Sequence, residues 1–244
     1  MRKFFLVALT FVAALALAAC NGDKKATAYG LVHGHYVGEV TVTVANDKVK
    51  DVKIEEYFLP YSWAKVSNEA GDLVVVVDGS RGASNYAKYI KIGDKLFTAE
   101  VLGEAKSQTI NYKADGIANL EEYVKTHDNA KWYVDQVKAD KFFVANASGV
   151  KETTLTRNDA TSNTSMKKSE SGYWPKGDKY PLGWSGNVEA MIEAFVGEKL
   201  TATETTKDAT SKKWSFGTVE TGATLTDFAD YYKLAKAAYE QASK

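Results

Sequence analysis

The chain has 244 residues, with 31 Lys and Arg against 31 Asp and Glu, and this balance argues against a nucleic-acid partner bound through phosphate charge. A single cysteine excludes an intramolecular disulfide and a cysteine-based metal site. Aromatic residues make up 12% of the chain, so a sizeable core can form, and the length fits one large or two small domains.

The first twenty residues resemble a bacterial lipoprotein signal. Arg2 and Lys3 precede a short apolar stretch that ends in Leu17-Ala18-Ala19-Cys20. This order is typical of a secretory signal, and the cysteine stands where a lipobox has its lipidated residue. We therefore predict a signal peptide over 1–19, acylation of Cys20, and an extracytoplasmic protein held to the bacterial cell membrane by lipid. The alternative is an ordinary signal peptide with a free cysteine.

The segments that follow favour a tether and then β-strands. Residues 20–28 are mostly small and polar, which predicts a short tether. From Tyr36 to Tyr57, valine and isoleucine alternate with polar residues around Asn46-Asp47, a pattern typical of a β-hairpin. Leu73–Val77 is continuously apolar and predicts a strand buried on both faces, and Tyr89–Val101 predicts further strand.

The middle of the chain predicts two helices and then a long loop. The helices are expected over Ile117–Lys125 and over Asn129–Lys138 behind Asp128, followed by a short strand at Phe142–Val144. Residues 151–187 are rich in Ser, Thr, Asn, Asp, Lys and Gly, which predicts a long polar loop. Such loops are uncommon in compact domains and are often functional.

Two amphipathic helices are predicted near the end. One follows Ser185 and ends at Gly197, and the other follows Thr226 with an apolar stripe from Phe228 to Ala242. Hairpins with separate helices indicate an α+β fold, in which antiparallel hairpins or a sheet pack with a few helices. We divide the mature chain into regions 29–150 and 151–244, which can also form one continuous domain.

The residues before the last helix are suited to bind an anion. Gly222 and Ala223 have little or no side chain, so a phosphate can approach the backbone closely. Thr226 is predicted to cap the helix, whose first N–H groups attract a phosphate. Thr224 has a hydroxyl that can donate to a phosphate or be esterified by it. The alternative is an ordinary helix start with a threonine cap.

The run Thr-Gly-Ala-Thr-Leu-Thr over 221–226 resembles the signature of bacterial FMN-binding domains, in which the pattern is Asp-x-x-Ser/Thr-Gly-Ala-Thr/Ser. Residues 35–40 and 47–54 are similar to the opening hairpin of that family, which includes the flavin-carrying subunit of sodium-pumping quinone reductases and lipoproteins of extracellular electron transfer. The resemblance implies FMN held by Thr221, Gly222, Ala223 and Thr224, with its phosphate joined to Thr224 by a flavin transferase. It also implies electron carriage from a membrane redox partner.

Two departures from the family pattern bear on which residue would carry the cofactor. The leading Asp of the pattern falls at Thr218, which alters the recognition element of the transferase. Asp78–Ser84 resembles a partial copy that ends in the hydroxyl of Ser84, so Ser84 is either a second cofactor-binding residue or part of a plain turn. Asp159–Ser165 and Asp208–Ser211 match less well, and the copies indicate either an internal duplication or chance.

Other candidate residues favour less specific roles. His33, His35 and His127 lack a further ligand pattern, so we predict no metal site. The late tryptophans can stack on an isoalloxazine ring or pack in the core, and the pair Lys167-Lys168 indicates solvated charge. Since no catalytic triad or carboxylate pair stands out, an enzyme is not favoured. The functions left open are an FMN-binding electron carrier, a flavin-free lipoprotein of the same ancestry that binds a small molecule or a protein, and a structural surface antigen.

Overall fold

The computed structural model describes residues 22–68 and 71–244. Within these residues, no helix combines the length and the hydrophobicity that a transmembrane span requires. The signal peptide and Cys20 lie outside the described residues, so their assignment stays a prediction.

The strands form antiparallel sheets and the helices are separate from them in the chain, which confirms the predicted α+β class. The helices are α1 (Pro60–Trp63), α2 (Leu120–Tyr123), α3 (His127–Lys138), α4 (Ala160–Thr164), α5 (Lys168–Ser171), α6 (Gly183–Phe195) and α7 (Phe228–Ala242). The strands are β1 (Lys24–Val32), β2 (Tyr36–Ala45), β3 (Lys48–Phe58), β4 (Lys65–Val66), β5 (Val74–Gly79), β6 (Gly82–Ala87), β7 (Tyr89–Ile92), β8 (Lys95–Leu102), β9 (Thr109–Lys113), β10 (Phe142–Ala145), β11 (Thr205–Lys207), β12 (Trp214–Phe216) and β13 (Val219–Glu220). They form four sheets, in the orders β1-β2-β3, β4-β6-β5, β10-β7-β8-β9 and β11-β12-β13.

The sheet β1-β2-β3 and helix α7 form the part of the core that supports the site. Asn46 and Asp47 both have positive φ, which is the backbone of a two-residue hairpin turn, so the predicted hairpin is confirmed. Helix α7 packs against β1 and β2. A Cβ at Gly38 would lie 2.9 Å from Leu234 Cδ1, so this glycine lets the helix approach the sheet closely.

Several predicted boundaries are wrong for identifiable physical reasons. Strand β1 begins at Lys24 because residues 24–32 pair with β2, which leaves less of the predicted tether outside the fold. One face of strand β5 is open to solvent, so Val76 is 56% exposed while Val77 on the other face is buried, and the predicted burial on both faces does not occur. The helix predicted over 117–125 shortens to α2, which begins behind the capping side chain of Asn119.

The segment over residues 151–187 is largely irregular, as predicted, but it contacts the rest of the protein along its length. Isolated bridges join Lys167 to Tyr57 and Arg157 to Val66. The Arg157 Nε donates to the Trp63 carbonyl oxygen at 3.0 Å. The buried core contains residues from both predicted regions, 29–150 and 151–244, because helix α7 packs on the sheet that begins with β1.

Candidate functional site

A cavity of about 320 Å³ lies at the end of the sheet where β1 turns into β2. Five of its lining residues are Tyr or Trp, and Arg81, Lys168 and Asp227 contribute charged groups. Small-molecule sites usually combine aromatic surface with polar groups that orient the ligand. The lining residues come from five separate segments: His33 and Tyr36; Arg81; Lys168, Tyr173, Trp174 and Tyr180; Leu225, Thr226 and Asp227; and Tyr231.

A second cavity of about 260 Å³ adjoins the first, since Trp174, Tyr180 and Thr226 line both. It adds Lys179 and Thr224 to the surface that a ligand can reach. The Thr224 side chain is half-buried, so its hydroxyl lies at a cavity wall rather than in the core. The two adjoining cavities are together called the aromatic cleft below. Thr224, the predicted attachment residue, lines the smaller of them.

The buried end of the larger cavity contains an ion pair. Glu56 is fully buried on β3, and its Oε2 accepts a hydrogen bond from Lys168 Nζ at 2.6 Å. The other carboxylate oxygen, Oε1, accepts from Trp184 Nε1 at 2.6 Å and from the Tyr231 hydroxyl. A buried carboxylate is tolerated when it is paired and hydrogen-bonded in this way. Glu56 therefore joins α5, α6 and α7 to the sheet.

Lys168 is only 4% exposed and is surrounded by aromatic rings. Its Nζ lies 3.9 Å from the centroid of the Tyr36 ring and 5.1 Å from that of Tyr173, within the range of cation–π attraction. Burial lowers the pKa of Lys168, and the charge of Glu56 opposes this shift. The prediction that the pair Lys167-Lys168 is solvated charge is therefore wrong for Lys168.

Four of the six backbone N–H donors in the segment 221–226, including the one on Thr224, already have partners inside the protein. Thr224 N and Leu225 N donate to Asn187 Oδ1, at 2.7 and 2.9 Å. Thr221 N donates to the Trp214 carbonyl oxygen, and Ala223 N donates to Thr221 Oγ1. A phosphate held on Thr224 would therefore need cationic side chains, rather than these amides, to balance its charge.

The start of helix α7 differs from the prediction. The N-cap is Asp227 and not Thr226, which is exposed one residue earlier. The Asp227 carboxylate pairs with His33 Nδ1, and Asp230 Oδ2 accepts from His33 N at 3.1 Å. Two carboxylates at this helix end disfavour a phosphate there, because like charges repel.

The glycine and alanine of the motif serve close packing. A Cβ at Gly222 would lie 3.2 Å from Ala190 Cβ, and Ala223 is fully buried. Trp214 Nε1 donates to the Leu225 carbonyl oxygen at 2.6 Å, so the segment is held against strand β12. Small residues are therefore needed here whether or not a ligand approaches.

The partial copy over Asp78–Ser84, called the front motif below, contributes a different residue to the cavities from the one predicted. Ser84 lies on β6 opposite Val77 and does not line either cavity. Arg81, at the tip of the same hairpin, lines the larger cavity. The family pattern has Ser or Thr at the position of Arg81. This departure from the pattern therefore also places a cation at the cavity.

The predicted roles of the tryptophans divide. Trp174 lines both cavities and is placed to contact a ring. Trp184 is buried and donates to Glu56, and Trp214 stacks on Phe228. The histidines also act separately, since His33 pairs with Asp227 while His35 pairs with Glu121. No group of three or more His, Cys, Asp or Glu side chains suited to a metal occurs within 22–68 and 71–244.

A larger groove of about 490 Å³ lies on the sheet near Glu39 and Lys138. Its central carboxylate is already bound: Glu39 accepts from Lys138 at 2.6 Å, from Tyr57 at 2.8 Å and from Tyr29 at 3.1 Å. A ligand there would have to displace these bonds, so the aromatic cleft is the better candidate site.

The wall of the cleft formed by residues 174–183 depends on Gly183. This glycine has φ of +55°, and a Cβ there would lie 2.6 Å from Lys176 N and 2.7 Å from the Trp174 carbonyl oxygen. We expect Gly183→Ala to lower the free energy of unfolding by about 2 kcal/mol, because it adds backbone overlap to a left-handed conformation. Urea unfolding checks this, with Gly177→Ala as the matched control, since a Cβ at Gly177 has no neighbour within 4 Å. Equal midpoints for the two variants would contradict the expectation.

Comparisons of the chain with protein-family models, curated proteins and solved structures found no match. The resemblance to FMN-binding domains therefore depends on the residues quoted above alone.

Proposed function

We propose that this chain is an extracytoplasmic lipoprotein that binds FMN and carries electrons, held to the bacterial cell membrane through acylated Cys20. The observation that carries the proposal is the aromatic cleft. The cleft is lined by Thr224 and Thr226, from the run over 221–226 that we call the rear motif, and by Arg81 of the front motif. Well over a hundred residues separate the two motifs in the chain.

The residues of the cleft fit the two parts of FMN. Tyr173, Trp174 and Tyr180 offer ring faces and edges against which a planar isoalloxazine can pack. Thr224 offers the hydroxyl for a phosphate ester, and Lys179 lines the same cavity as a cation for the phosphate. When bound, FMN supplies the redox chemistry, and the protein supplies position and electrostatics. No substrate-specific catalysis is part of this proposal.

The position of the cleft bears on its redox partner. Strand β1 begins at Lys24, four residues after Cys20, and ends beside His33 at the cleft. At about 3.3 Å per residue, this strand places the cleft roughly 30 Å from the start of the fold. A donor in the membrane would therefore need a domain that reaches out to this end, and the acceptor would meet the cleft from the extracytoplasmic side.

A flavin-free binding protein of the same ancestry is the second candidate. Asn187 favours it, because Asn187 Oδ1 occupies the amides of Thr224 and Leu225 that a phosphate would otherwise use. Thr218 in place of the leading Asp of the pattern favours it as well. In this candidate, the cleft holds another planar ligand or the side chain of a partner protein.

We expect a form of the protein that starts after Cys20, co-expressed with a flavin transferase, to be yellow and, after denaturation, heavier by one FMN less the water lost in the phosphate ester. The mass gain should disappear in Thr224→Ala and persist in Thr109→Ala, a control on the exposed start of β9. Intact mass and visible absorbance provide both measurements.

Other results of the same experiment separate the alternatives. Loss of the mass gain in Ser84→Ala instead would move the attachment site to the front motif. Colour that is released on denaturation would indicate bound FMN without a covalent bond. A colourless protein of unmodified mass that does not bind added FMN would overturn the proposal and favour the flavin-free binding protein.

A further inference from the structure

The ammonium of Lys168 has more hydrogen-bonding capacity than its partners use. An ammonium has three N–H donors, and Glu56 Oε2 is the one acceptor bonded to Lys168 Nζ among the described residues. The face of the Tyr36 ring lies against the same group. Lys168 is also one of the residues that line the larger cavity.

We propose that Lys168 is the inner anchor of the ligand and donates a hydrogen bond to a carbonyl oxygen or ring nitrogen of a planar heterocycle. This inference depends on the proposed function, and it specifies which end of the ligand enters first. The ring lies against Tyr173 and Trp174, because the centroids of Tyr36 and Tyr173 are only 6.0 Å apart and leave no room for a ring between them. The anionic group stays outside, near Arg81 at the rim and Lys179 in the adjoining cavity. The flavin ring has such acceptor atoms, and riboflavin shares them with FMN while lacking the phosphate.

Glu56 has a positioning role in this arrangement. It fixes Lys168 Nζ by one hydrogen bond, while its other oxygen is held by Trp184 and Tyr231. Because both side chains are buried, removing one charge alone would leave the other uncompensated. A test of ligand binding therefore needs both charges removed together.

The experiment measures dissociation constants for FMN and riboflavin by flavin fluorescence titration. We expect the double variant Lys168→Met/Glu56→Gln to bind both flavins about 10-fold more weakly, because a hydrogen bond from a charged donor is lost at the shared ring. Arg81→Gln should weaken FMN binding and leave riboflavin binding unchanged. Circular dichroism confirms that each variant is folded.

The outcomes distinguish the two proposals. Unchanged binding of both flavins by the folded double variant would overturn the role of Lys168 and leave the proposed function standing. Failure of the unaltered protein to bind either flavin would overturn the proposed function and the anchor with it.

If the double variant does not fold, lysine labelled with carbon-13 in the unaltered protein provides the test. The Lys168 Cε resonance should shift when riboflavin is added, whereas that of Lys125, which pairs with Glu122 on the surface, should not. An unmoved Lys168 resonance at saturating riboflavin would overturn the inference.

Discussion

Above about pH 10, the protein should unfold in a cooperative step, because several of its tyrosines are buried as neutral phenols. Burial raises the pKa of each of these tyrosines well above the ordinary value of 10.0. The group consists of Tyr36, Tyr57, Tyr86, Tyr112, Tyr133 and Tyr231, each less than 7% exposed.

The sign of the effect follows from the proton count. Between pH 10 and the raised pKa values, the unfolded chain has lost tyrosine protons that the folded protein retains, so stability falls as the pH rises. Each buried tyrosine contributes up to about 1.4 kcal/mol per pH unit. Lys168 changes the stability in the opposite direction, because its pKa is lowered in the folded protein. Below pH 10.5 the unfolded chain retains a lysine proton that the folded protein loses more easily, so this contribution to stability rises with pH. One lysine does not offset several tyrosines.

Tyrosinate absorbance and far-ultraviolet circular dichroism, followed together against pH, measure this transition. We expect Tyr112→Phe to make the fall in stability with pH shallower, since the Tyr112 hydroxyl is buried and donates to the Ala87 carbonyl oxygen. Tyr173→Phe is the control, because that ring is 36% exposed. Normal titration of all tyrosines in a protein that stays folded would refute the expectation.

Local patterns predicted the parts of the fold that local contacts determine. The hairpin of β2 and β3 follows from alternation around Asn46-Asp47, whose backbone suits a two-residue turn. Helix α7 follows from its apolar stripe, because that stripe packs on β1 and β2. Helix α2 was predicted too long, since only four residues of the segment adopt helical structure behind Asn119.

The site was predicted only in part, because contacts between distant segments create it. Thr224 and Thr226 of the segment 221–226 line a cavity, and their role in binding FMN stays a prediction. Lys168 was missed because its partner, Glu56, is 112 residues away in sequence. One local signal was present: Glu56 continues the alternation of Val52 and Ile54, so it falls on the buried face of β3. A carboxylate at a buried position indicates a buried partner, although not which one.

Replacement of Glu56 with alanine should lower the free energy of unfolding by about 3–5 kcal/mol, the range found when one partner of a buried ion pair is removed. The change leaves the ammonium of Lys168 buried without its acceptor. It also removes the acceptor of Trp184 Nε1 and of the Tyr231 hydroxyl, so α5, α6 and α7 lose their common attachment to the sheet. Urea unfolding followed by tryptophan fluorescence measures the loss.

Two further variants show whether the buried charge is the cause. Glu220→Ala removes a carboxylate whose side chain is 64% exposed and pairs with Lys213, so little change is expected. Glu56→Gln should also destabilise the protein, because it leaves Lys168 charged and without its anionic partner. Adding Lys168→Met to that variant should restore part of the stability, since the remaining amide oxygen still accepts from Trp184 and Tyr231. If the second substitution instead deepened the loss, the Lys168 ammonium would be stabilised chiefly by Tyr36 and Tyr173 rather than by Glu56.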